Sequence, residues 1–164
     1  PSYFDPEERL KGIRLEISRW KRPSPETIPC DTKAAGLYMI CTLSKHEAEK
    51  KGYADSLMLD YQGNVSEATG ANVFFIKDNE IHTPTPDCFL DGITRRTVIG
   101  LAKKRGLVVV ERKILPSEML DFTECFLTGT AVEVTPVSEI GDYHFKPGEI
   151  TKDLMQDYLN LVKN

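Results

Sequence analysis

Asn72-Val73-Phe74-Phe75-Ile76-Lys77-Asp78-Asn79-Glu80-Ile81-His82-Thr83 is the stretch that decides the fold. Asn72 to Lys77 reads as a strand, and Asp78-Asn79 turns it into a second strand, Glu80 to Thr83, giving a hairpin. Upstream, Ser56 to Asp60 reads as a short strand and Gln62-Gly63-Asn64 as a turn, with a strand resuming at Val65. Ile13, Leu15 and Ile17 alternate with Arg14 and Glu16, the pattern of a half-exposed strand. Downstream, Leu107 to Arg112, Glu124 to Thr128 and Val132 to Val137 read as strands. Leu37 to Lys51 reads as a helix with Gly52 at C′. Thr94 to Arg105 is a second helix, stopped by Gly106. Ser117 to Leu120 is a helical turn, and Thr151 to Lys163 closes the chain as a helix with Leu154, Tyr158 and Leu161 on one stripe. Arg22 to Pro29, with three prolines, and Pro84 to Asp87 read as loops. Adjoining strands and few helices predict an α+β protein built on a mixed sheet.

The chain has 164 residues, 40% of them hydrophobic and 28% charged, with a formal net charge of −4. A domain of this length buries roughly 70% of the surface its unfolded chain exposes, enough for a real core. No apolar run approaches the ~18 residues that cross a bilayer. Asp5, Glu7, Glu8, Arg9 and Lys11 rule out a secretory apolar core in the first sixteen residues. The mild negative charge argues against a nucleic acid or an anionic membrane as partner. Cys30, Cys41, Cys88 and Cys125 lack metal-ligand spacing and read as free, buried thiols of a cytoplasmic protein. His46, His82 and His144 are far apart, and no metal site is expected. Position 1 is Pro and the first Met is Met39, so the chain is expected to be part of a larger protein.

Four segments carry candidate chemistry. Lys33 lies in an otherwise small and apolar run, Ala34-Ala35-Gly36-Leu37, just before a helix. Partial desolvation and the positive helix end would both favour its neutral amine, the form a Schiff base needs; a solvated lysine is the plainer alternative. Glu67 is a lone acid between a strand and the turn Ala68-Thr69-Gly70-Ala71, readable as a turn carboxylate. Gly92-Ile93-Thr94 opens a helix, where free N–H groups and a hydroxyl suit a phosphate, or where Thr94 is a plain N-cap. Thr128-Gly129-Thr130-Ala131 joins two strands, either as a second anion-binding turn or as a structural one.

Together, Glu67, Thr69, Asn72, Val73, Phe74, Ile81, Thr83, Leu90, Gly92, Ile93 and Arg95 form one ordered pattern, with Lys33 upstream and Gly129-Thr130-Ala131 downstream. This pattern resembles the branched-chain aminotransferase family of fold-type IV pyridoxal-phosphate enzymes, over about Tyr3 to Leu161. The resemblance implies the mixed-sheet pseudo-barrel of the D-amino-acid aminotransferase-like large domain. It implies that residues 1–164 are that C-terminal domain, with a small N-terminal domain absent. The cofactor implied is pyridoxal 5′-phosphate. Lys33 matches the lysine that carries it and shuttles a proton between the substrate α-carbon and cofactor C4′. Glu67 matches the acid at the pyridine nitrogen, Tyr38 the tyrosine beside the 3-oxygen and Leu90 the side chain packed on the ring. Gly92, Ile93, Thr94 and Thr130 match the phosphate contacts; Thr130 and Ala131 also match the turn that receives the substrate carboxylate.

The activity implied is transamination of branched-chain L-amino acids with 2-oxoglutarate, by a cytoplasmic homodimer or higher homo-oligomer in amino-acid biosynthesis. Tyr38 and the Gly-Thr-Ala turn favour this over D-amino-acid aminotransferases and aminodeoxychorismate lyases of the same fold. Leu37 stands where many branched-chain enzymes have Asn. The family's phosphate-binding arginine, from the small domain, has no counterpart here, so an inactive truncated domain is the further alternative.

Overall fold

The computed structural model describes residues 10–163. Pro1, the charged residues at positions 5, 7, 8 and 9, and Tyr3, where the resemblance begins, lie outside them. The strands are β1 (Ile13–Lys21), β2 (Asp55–Leu59), β3 (Val65–Ala68), β4 (Asn72–Lys77), β5 (Glu80–Thr83), β6 (Val108–Glu111), β7 (Glu124–Gly129), β8 (Glu133–Ile140) and β9 (Tyr143–His144). The helices are α1 (Tyr38–Lys50), α2 (Ile93–Lys104) and α3 (Glu149–Lys163), with single 3-10 turns at Ala35–Leu37 and Pro116–Leu120.

Six strands close into a ring in the order β3-β2-β1-β8-β7-β4, with β3 returning to β4 through the pair Glu67↔Asn72. β5 and β6 extend from β4, and β9 pairs with β8. The sheet is mixed: β1 is parallel to β2 and β8, and β5 to β6, while the remaining pairs are antiparallel. A parallel pair needs a long crossover. α1 lies between β1 and β2, and α2 between β5 and β6. This is the expected mixed-sheet pseudo-barrel.

The decisive hairpin owes its sequence to burial on two sides. Val73 and Phe75 point into the ring with Leu15, Leu57, Cys125, Leu127 and Val137. Phe74 and Ile76 point outward, under α2 and α3, with Phe126, Val98, Ala102 and Leu154. Phe74 stacks on Phe126 at 4.9 Å and Phe75 on Phe122 at 4.9 Å. An alternating apolar-polar strand would leave one of these layers unfilled. Asp78 and Asn79 adopt φ of 51° and 62°, the left-handed pair that matches strand twist in a two-residue hairpin.

Gly52 and Gly106 sit at positive φ just past α1 and α2, as the sequence predicts. Three expectations shift, and one strand is unforeseen. α3 begins at Glu149, and its buried side is Leu154 and Met155 with Tyr158 packed alongside; Leu161 is 53% exposed, so the predicted stripe is cut short. Glu124 of β7 explains the earlier start: its Oε2 accepts from Gly148 N–H (3.2 Å), Thr151 N–H (3.0 Å) and Thr151 O–H (2.6 Å). β8 runs on to Ile140 because β1 takes over as its partner from Val137, beyond Pro136, which has no N–H to give. β9 carries no local signal, being two residues held by β8. Finally, α2 is entered through Gly92 rather than capped by Thr94, with no side-chain cap bond.

Candidate active site

Asn72 organises the candidate site. It opens β4 and pairs across the strands with Glu67 of β3 and Thr128 of β7. Its side-chain amide donates to Leu90 O (2.9 Å) and, at a long 3.5 Å, to Glu67 Oε2. Its Oδ1 accepts from Gly92 N–H at 3.2 Å. One amide therefore holds the Glu67 carboxylate and the start of α2 in a fixed relation. A Cβ on Gly92 would lie 2.5 Å from Asn72 Oδ1, so the close approach requires glycine. The order Glu67, Asn72, Leu90, Gly92 in the sequence is the imprint of this one contact set.

Glu67 is 8% exposed. Its Oε1 lies 3.4 Å from Arg22 Nε, the only ion pair found for it among the described residues. Burial pushes its carboxyl up to about 8; Arg22 pulls the other way and Asp55 adds to the rise. Asp55 is itself buried and held by Thr69 O–H at 2.5 Å and Ser56 N–H at 2.8 Å. Burial raises it too. Thr69 of the recurring pattern thus serves the acid next to Glu67. Thr83 donates to Val73 O at 2.8 Å and is structural.

Arg95, the basic position of the pattern, is also structural. Its guanidinium is buried and reaches Asp91 Oδ1 (2.8 Å), Glu111 Oε2 (2.7 Å) and Pro84 O (3.1 Å), tying the first turn of α2 to β6. Its two carboxylate partners and one carbonyl already occupy the guanidinium.

The anion-binding expectation keeps its donors. Thr94 is buried at the second position of α2, whose start is free of any capping side chain. Ile93, the first residue of α2, is 77% exposed. Thr128 Oγ1 is buried without a hydrogen-bond partner among the described residues, and Thr128 pairs across the strands with Asn72. Gly129 passes within van der Waals range of Gly70 O (3.3 Å from a Cβ placed there), which brings the Thr130-Ala131 turn to the Gly70-Ala71 turn. Thr130 and Ala131 are exposed, and Leu90 and Gly92 half-buried.

Tyr38 is exposed at the first turn of α1; burial of its ring, then the nearby Glu67 charge, push its phenol up. Lys33 corrects an expectation. It is exposed on the loop before the 3-10 turn, and among the described residues it makes no hydrogen bond or ion pair with the other candidates. Its own chain does not desolvate it. Two surface clefts, of about 250 and 270 Å³, are lined by other residues, around His82 and around Trp20.

Three participants escape sequence reading. Arg22 looks like Arg19 and Lys21 before it, yet it is 4% exposed. Asp55 carries no pattern of its own, and for Thr128, already in a candidate turn, only the buried hydroxyl without a partner among the described residues goes unforeseen. The buried Glu67 carboxylate is an acceptor of the kind that suits a ring nitrogen, and the hydroxyls and uncapped start of α2 are donors of the kind that suit a phosphate, while Lys33 contacts none of them among the described residues. Among the described residues there is no cluster of metal-ligating side chains, and no helix is long and apolar enough to cross a membrane. All four cysteines are free and buried, as expected.

Comparison with known proteins places these residues in context. Residues 1–140 match the family described as amino-transferase class IV. The chain is 46% identical over 158 residues to a probable branched-chain-amino-acid aminotransferase of Aquifex aeolicus, covering 93% of this chain and 51% of that protein. It is 41% identical over 157 residues to the protein of the same description from Rickettsia conorii, covering 93% and 54%. The crystal structure of the branched-chain aminotransferase of the thermophilic archaeon Thermoproteus uzoniensis with norvaline superposes with a TM-score of 0.92 at 32% identity, covering 99% of this chain and 54% of that one. The chain spans about half the length of the curated relatives it matches.

Proposed function

This chain belongs to the class IV aminotransferase family, and from that membership we propose that it is the large cofactor-binding domain of a pyridoxal-phosphate-dependent branched-chain amino-acid transaminase. The observation that carries the reading is the Asn72 contact set, which fixes the Glu67 carboxylate and the uncapped start of α2 relative to each other. When bound, pyridoxal 5′-phosphate supplies an aldehyde for the amine and a ring that withdraws electrons from the α-carbon.

The chain's own residues divide the remaining work. Lys33 Nζ would be the amine that holds the cofactor, and as a free amine it would be the base for the proton of the substrate α-carbon. Glu67 holds negative charge at the ring nitrogen. A cation arriving there offsets the burial that raises its carboxyl, so ring and acid stabilise one another's charged forms. Tyr38 O–H would serve the 3-oxygen, and Leu90 would cover the ring. Ile93 and Thr94 give backbone N–H groups to the phosphate, with the hydroxyls of Thr94 and Thr130. Thr130 and Ala131 N–H groups receive the substrate carboxylate.

The same reading takes branched-chain L-amino acids and 2-oxo acids as substrates, within amino-acid biosynthesis in the cytoplasm. It makes the enzyme a homodimer or higher homo-oligomer. Coverage of about half of each relative supports the domain assignment. Assay of the full-length protein with L-isoleucine and 2-oxoglutarate, against D-alanine and aminodeoxychorismate, tests it. Turnover of the L-branched substrate is expected, with loss in Lys33→Ala. Preference for D-alanine or lyase activity overturns the substrate assignment, and normal turnover by Lys33→Ala overturns the mechanism.

A further inference from the structure

We propose that Arg22 is the positioning residue of this site: one buried guanidinium at the end of β1 orients the Glu67 carboxylate and ties together the segments that carry Tyr38, Glu67 and Gly92. The inference rests on the assignment of Glu67 to the ring nitrogen.

Arg22 follows β1 directly, and its backbone N–H donates to Leu59 O at 2.8 Å, which anchors it beside β2. Its side chain then reaches three separate stretches of chain. Nε lies 3.4 Å from Glu67 Oε1 and 3.4 Å from Cys88 O. Nη1 lies 3.4 Å from Leu37 O and 3.3 Å from Cys41 Sγ. Leu37 immediately precedes Tyr38, and Cys41 is in the first turn of α1. Cys88 stands two residues before Leu90 and four before Gly92.

Each of these contacts is longer than the 2.7–2.9 Å usual for a charge-assisted bond. No single one dominates, and the guanidinium is held by the set. A forked, planar donor can face Glu67, two carbonyls and a thiol together; a lysine ammonium is a point charge on a flexible stem and cannot. At the acid, Arg22 takes Oε1 while Asn72 faces Oε2 from 3.5 Å. Two neighbours, one on each oxygen, restrict how the carboxylate can turn. The side chains of Arg22 and Glu67 are only 5% and 10% exposed, so water offers neither an alternative partner. Arg22 acts on the ring nitrogen only through Glu67.

The test uses the full-length protein with Arg22→Met and Arg22→Lys, read in two states. In the cofactor-free state, ¹³C NMR of the Glu67 carboxyl follows its titration. Arg22→Met is expected to raise the midpoint by about 1 pH unit or more, the effect of losing an adjacent opposite charge. In the loaded state, ¹⁵N NMR of ring-labelled pyridoxal phosphate reads protonation of the pyridine nitrogen. Arg22→Met moves that resonance toward the unprotonated value, Arg22→Lys lies between, and Arg22→Met added to Glu67→Gln moves it no further. If Arg22→Met lowers the melting temperature but leaves both NMR readouts at wild-type values, Arg22 is merely structural and the proposal is overturned. Should Arg22→Met not fold, Arg22→Lys with wild-type values at both readouts overturns it equally. A wild-type protein that shows no bound cofactor resonance defeats the functional reading, while the carboxyl titration still decides whether Arg22 governs Glu67.

Discussion

Glu67 shows most directly what burial does to a functional group. Its carboxyl is pushed up to about 8 because the charged form loses water and regains only the opposite charge of Arg22 and a long bond from Asn72 among the described residues. In the unfolded chain it titrates near the ordinary value of about 4.3. Between those two pH values the folded protein binds the extra proton, so stability of the cofactor-free protein falls as pH rises through that window and levels off above it. Glu67→Gln is expected to flatten this part of the profile and to make the cofactor-free protein more stable than wild type at high pH, measured by urea denaturation. Gly92 gives a second test at this scale. Gly92→Ala places a methyl group 2.5 Å from Asn72 Oδ1. The expected cost is about 1–3 kcal/mol of stability, as in other overpacked sites, with weaker cofactor binding, read by thermal melts and by cofactor titration. Asn72→Ala would leave Gly92→Ala little further to disturb.

At the scale of elements, the strands and helices are legible because each carries its own period or punctuation. Asn72 to Lys77 is apolar through its middle because it is buried on both faces, and the Asp78-Asn79 turn follows from two residues that tolerate left-handed φ. Helix ends are less legible where a distant side chain sets them. α3 starts at Glu149 because Glu124, on another strand, takes the free N–H groups. Glu124→Ala is expected to cost about 1–2 kcal/mol, in the range of a lost N-cap, and to fray the first turn of α3 in hydrogen exchange. Glu124→Gln keeps an acceptor and loses less. Arg95 makes the same point at α2. Its pattern position is readable, but its partners Asp91, Pro84 and Glu111 come from three places in the chain.

At the scale of the whole molecule, what the sequence hides is closure. The ring of strands is completed by the single pair Glu67↔Asn72, two residues five apart that no periodicity marks as partners. That pair is also the centre of the candidate site, which is why the ordered residues of the family pattern are readable while the geometry behind them is not. Arg22 is hidden for the same reason: it is buried only once β1, α1 and the Cys88 loop have met. Lys33 misleads in the other direction. Small apolar neighbours suggest shelter, but the loop stands at the surface of this chain. The account therefore turns on whether that exposed lysine is the one that holds the cofactor. Borohydride reduction of the full-length protein with pyridoxal phosphate, followed by peptide mass mapping, reads this directly. A phosphopyridoxyl group on Lys33 is the result predicted. The same group on another of the lysines, with Lys33 unmodified, would contradict the account.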